Sequence, residues 1–101
     1  MSERGYEDLR VEGINAVASL MGHVAAASDE HRFEGAISVV TNLPTEGLAA
    51  GYQHLRACWD ALDDPALYSM VPPDERSAYR SHRMWAIMTA FYVVKAAVSK
   101  R

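Results

Sequence analysis

Arg76, Arg80 and Arg83 recur at intervals of four and three residues. On an α-helix that spacing draws a single stripe. Three guanidinium forks in a row can grip phosphates or carboxylates in bidentate fashion. Tyr79 lies alongside, where its ring would stack on a base or fill a partner's pocket, and His82 is close by. The same arginines also suit a solvated helix face paired with Asp60, Asp63, Asp64, Asp74 or Glu75, which is the commoner use of such a stripe. Among outside partners a protein stands ahead of nucleic acid. The chain's net charge is −3, and no second basic patch widens the footprint.

A second group lies just upstream. Leu67, Tyr68, Met70 and Val71 adjoin Pro72-Pro73 on a short connecting segment. If exposed, Tyr68 and Met70 would make a protein-binding hot spot. If turned inward, they would plug the end of the fold. Partner binding is therefore expected at Arg76, Arg80, Arg83, Tyr79, Tyr68 and Met70.

His54 and Cys58 are four residues apart and share a helix face. An imidazole beside a thiol can activate it as a nucleophile. A buried cysteine is more often a small hydrophobe, and catalysis is not the expectation here. Cys58 is the only cysteine, so no intrachain disulfide and no cysteine-based zinc site can form. Of the four histidines, none pairs with another at three or four residues. His31 and Glu34 reverse the Glu-x-x-His order of di-iron bundles. The glycine-rich phosphate loops, HExxH, Gly-x-Ser-x-Gly and calcium-loop patterns do not occur. No catalytic residue, metal or cofactor is expected. A helix-turn-helix beginning at 36–56, with 45–62 as its recognition helix, would present Glu46 and Asp60 to DNA beside one arginine, Arg56, which is too acidic a recognition helix.

Helical periodicity positions these groups. Leu9, Ile14, Val17, Met21 and Val24 fall largely on one side of a helix expected over about 5–27, with Glu7 and Asp8 near its positive end. Gly13 and Gly22 weaken it by about 1 kcal/mol each. Ser28 caps a short helix expected over 29–41, whose apolar face includes Phe33, Ala36, Ile37 and Val40. Thr45 is expected to cap a third helix with the seam Leu48, Tyr52, Leu55, Trp59 and Leu62, spaced four, three, four and three. Gly47 and Gly51 on that helix would let another helix approach closely.

Asp64-Pro65 reads as the start of a helical turn reaching Met70, with proline at the first helical position. The last helix, expected over 73–99, carries Trp85, Ile87, Met88, Phe91, Tyr92, Val94 and Val98. That stripe is too wide for one neighbour. The helix is either central, or one side of it pairs with another subunit as a homodimer. With no credible pair of strands, the expected fold is all-α: one domain, 1–101, a compact bundle of about four helices plus a short helical turn.

The composition agrees. Half of the 101 residues are hydrophobic and 23% are charged, an ordinary globular balance. Charge is uneven along the chain. Residues 29–75 hold nine acids against Arg32 and Arg56, whereas 76–101 hold six basic residues and no acid. The uncharged apolar run at 84–94 is about half the length of a membrane span, and the polar N-terminus has no secretory h-region. A cytoplasmic location without membrane contact is expected. These features point to a small non-enzymatic protein-interaction module, an inhibitor, adaptor or assembly subunit docking on a larger partner. The other expectations are nucleic-acid association through the Arg76/Arg80/Arg83 stripe, and a ligand-binding or catalytic bundle near His54, Cys58 and Trp59.

Overall fold

The computed structural model describes residues 5–26 and 34–101. The described chain is all-α, and no strand occurs among the described residues. Helix α1 spans Tyr6–Ala26, α2 Glu34–Thr41, α3 Thr45–Asp60 and α4 Arg76–Ser99. Two short 3-10 turns, Ala61–Asp63 and Pro65–Tyr68, connect α3 to α4. Ser28, His31, Phe33 and the expected first turn of the second helix lie outside the described residues.

The helix ends follow local chemistry, with two departures from expectation. Asp64 caps the second 3-10 turn, its side chain accepting from the Ala66 amide at 3.0 Å, and Pro65 opens that turn as expected. Thr45, however, is the first residue of α3 and not its cap. Pro44 holds the cap position with extended backbone, and its carbonyl accepts from the Leu48 amide at 3.0 Å. The proline ring carries no acceptor, so no side-chain cap hydrogen bond forms at this end, and its fixed φ only sets the backbone entry to the helix. The last helix begins at Arg76 and not near 73, because the Glu75 amide closes a turn onto the Pro72 carbonyl at 2.9 Å.

The core runs between all four helices. Val17 and Leu20 of α1, Val40 of α2, Leu55 of α3 and Ile87 and Val94 of α4 are fully buried. Each fully buried aliphatic side chain contributes roughly 1.5–3 kcal/mol. Toward this core α4 presents Ala86, Ala90 and Ala97 around Ile87 and Val94, so its inward face is mostly small.

The tightest contact is between α1 and α3. A Cβ placed on Gly13 would stand 1.9 Å from the Gly47 carbonyl oxygen, and one on Gly51 would stand 2.9 Å from a Val17 methyl. Main chain meets main chain at this crossing, which only residues without side chains allow. The close approach expected at Gly47 and Gly51 is made by α1, and Gly13 is its counterpart. At the far end of the chain, the Arg101 guanidinium donates to the carbonyls of Thr41 and Leu43. That contact ties the end of α4 to the connection between α2 and α3.

Candidate functional site

Helices α3 and α4 run in opposite directions. Thr45 at the start of α3 shares a surface hollow with Ser99 at the end of α4, and Trp59 shares another with Met88. Between them, Tyr52 and Phe91 meet edge to face with ring centroids 5.5 Å apart. The seam expected on α3 is thus divided. Leu48, Leu55 and Leu62 turn inward, while Tyr52 and Trp59 remain partly in solvent.

Helix α4 divides in the same way. Ile87 and Val94 are buried, but Trp85 is 61% exposed and Tyr92 71% exposed, with Met88 between them in sequence. Residues 85, 88 and 92 are spaced three and four apart and form one outward stripe. Met88 and Tyr92 line the α3–α4 groove together with Tyr52 and Trp59, and Trp85 stands one turn further along the same α4 stripe. The groove contains a hollow of about 590 Å³.

Three charged side chains also line that hollow: Arg56 and Asp60 from α3, and Lys95 from α4. None of them makes an ion pair or side-chain hydrogen bond among the described residues. Arg56 and Asp60 stand one turn apart on the same helix and still do not pair. The face therefore combines large rings, a thioether and free charges of both signs, a composition rich in the residue types that anchor protein interfaces.

The arginine stripe is arranged differently. Arg76 donates from Nε to the Val71 carbonyl at 2.9 Å. Arg80 pairs with Asp63 at 3.1 Å, one of the internal pairings the spacing allowed. The Arg83 guanidinium lies 6.0 Å from the Tyr79 ring centroid, and its Nε is buried without a hydrogen-bond partner among the described residues. Tyr79 in turn packs edge to face on Tyr68 at 5.8 Å.

Tyr68 and Met70, expected together, part company. Tyr68 is buried and its hydroxyl donates to the Leu62 carbonyl. A buried ring with a satisfied hydroxyl closes the end of the bundle and offers no exposed hot spot. Met70 is 92% exposed.

The structure does bring His54 and Cys58 together, with Sγ 3.6 Å from Nε2. Burial pushes the Cys58 thiol above its ordinary value, and the Arg83 charge opposes that only in part. A raised thiol value opposes formation of the nucleophilic thiolate. No cluster of three or more metal-ligating side chains occurs among the described residues, and no helix there is long and apolar enough to cross a membrane.

The chain matches no protein-family profile, no curated protein and no solved structure. The reading of function therefore rests on its own residues. Tyr52 and Trp59 of the expected α3 seam, and Trp85 and Tyr92 of the wide α4 stripe, are exposed large hydrophobics. The signal was the width of the α4 stripe, with alanines at 86, 90 and 97 marking the side able to pack closely.

Proposed function

We propose that this chain is a non-enzymatic, all-helical interaction module that docks on another polypeptide through its α3–α4 face, as an assembly subunit, adaptor or inhibitor. One observation carries the reading. Trp85, Met88 and Tyr92 stand outward in a line, with Tyr52 and Trp59 beside them, on a fold whose core is already filled by other residues. Contiguous exposed apolar surface of this kind characterises interaction sites. Binding energy would come from the rings, and Arg56, Asp60 and Lys95 would set register and speed encounter.

The arginine stripe belongs to the framework in this reading, because Arg76 and Arg80 are engaged within the chain. The test is site-specific photo-crosslinking in the native host. Benzoylphenylalanine in place of Tyr92 is expected to give a discrete adduct with a polypeptide. The same group in place of the exposed Val11 of α1 is expected to give none. Identical adduct patterns from the two positions, or no adduct from either, would remove the reading. Strongly salt-dependent gel retardation of DNA or RNA would instead assign the arginines to phosphate.

A further inference from the structure

We infer that the occupant of the α3–α4 face is a second copy of this chain, paired about a two-fold axis that sets Asp60 of each copy against Lys95 of the other. The inference rests on the docking reading above and goes further by naming the partner.

Charge in the groove selects the partner. A groove lined by one sign selects a partner of the other sign. This groove carries both, at different places: Asp60 lies toward the C-terminal end of α3, and Lys95 lies near the opposite end, on α4. Because the two side chains come from different helices, they sit diagonally across the groove. A two-fold axis perpendicular to that diagonal exchanges their positions. Each copy then supplies the acid for the other's base, which is the self-complementarity an isologous interface demands.

The same axis makes the two helix pairs cross obliquely, an ordinary way for helices to pack. It brings Arg56 of one copy toward the Tyr92 ring of the other, where a guanidinium is attracted to the ring face. All three charges are unpaired within the chain among the described residues, so association breaks no existing ion pair.

Size agrees with this. Aromatic side chains bury about 150–250 Å² each when covered. The exposed shares of Tyr52, Trp59, Trp85 and Tyr92 therefore come to roughly 330–540 Å² per copy, to which Met88, Val98 and the three charged side chains add toward the about 800 Å² that each partner gives to a standard interface.

The test uses the full chain in sedimentation velocity at low salt, up to about 100 micromolar. The expected species has twice the mass of the 11.2 kDa chain. Asp60→Lys and Lys95→Asp should each weaken association about tenfold or more, since each change places two like-charge pairs across the interface. The double variant restores opposite charges and should return to within about threefold of the parent. Tyr92→Glu should give a monomer with unchanged helical circular dichroism. A monomeric parent, single charge reversals without effect, or a double variant no better than the singles would each overturn the pairing. The two proposals fail separately. A monomeric chain that still crosslinks to another protein from position 92 keeps the docking face and loses the second copy. A monomer with no adduct loses both.

Discussion

Helix α3 has two flanks, and they are finished in opposite ways. Toward α1 it carries Gly47 and Gly51, and the two backbones touch with no room for a Cβ at Gly13. Toward α4 it carries Tyr52, Arg56 and Trp59, which line a hollow open to solvent. The first flank is closed by subtraction of side chains and excludes every partner but α1. The second is left open by large side chains that the fold does not cover. Stability and recognition are thus separated on one helix. The closed flank should tolerate no added atoms, and the open flank should tolerate truncation with little effect on folding.

The largest expected effect lies on the closed flank. Gly13→Ala puts a methyl group where the Gly47 carbonyl stands, and backbone cannot yield as a side-chain tip can. A loss of about 1–3 kcal/mol or more in urea unfolding is expected. Gly22→Ala, on the same helix with nothing within 4 Å of the new methyl, should instead gain up to about 1 kcal/mol through helix propensity. Equal effects from the two substitutions would mean that the crossing is not close. Next comes Arg101→Ala, which removes the donor to the Thr41 and Leu43 carbonyls and should cost about 1–2 kcal/mol.

Cys58 reports on the part of α3 on which the charge of Arg83 from α4 acts. It lies on the stripe of α3 that includes Gly51, two turns further on. Burial raises its thiol above the ordinary value of 9.0. The folded chain therefore holds that proton more tightly than the unfolded chain does. The resulting stabilisation is complete below the ordinary thiol value and is lost as pH rises through the folded value. Thiol titration with a disulfide reagent should show the folded protein reacting at higher pH than the urea-unfolded one. Coincident profiles would mean that water reaches the stripe.

The smallest effect belongs to the open flank. Trp85→Ala and Tyr92→Ala should change the unfolding free energy by no more than about 0.5 kcal/mol, since both rings are mostly in solvent. Thermal melts of the isolated chain at low concentration check this. A loss comparable to that of Gly13→Ala would make these rings part of the core and end the distinction between the flanks.

Much of this architecture was legible from residue order. Of the seam Leu48, Tyr52, Leu55, Trp59 and Leu62, the three leucines are buried as their spacing implies while the two rings are not, and the Asp64-Pro65 turn lies where the fixed φ of proline puts it. The width of the α4 stripe also announced that one neighbour could not cover it. Its division into Ile87 and Val94 inside and Trp85 and Tyr92 outside was not legible, because both sets satisfy the same helical period. Nor was the fate of Tyr68. Its ring closes on Tyr79 only because the chain doubles back through Pro72-Pro73 into α4.

Residue order alone determined that this chain is helical, where most of its helices break, and that its charge is segregated toward the last helix. These are local properties: the side chains involved are within a turn or two of one another, and backbone geometry relates them directly. The tertiary structure alone decided which faces are hidden. Gly13 reads as a weak point in α1 until Gly47, 34 positions later, is brought against it. Tyr92 belongs to a stripe that residue order leaves undivided until the small residues at 86, 90 and 97 take the inward side. Burial is a relation between segments distant along the chain, and local periodicity carries no term for it.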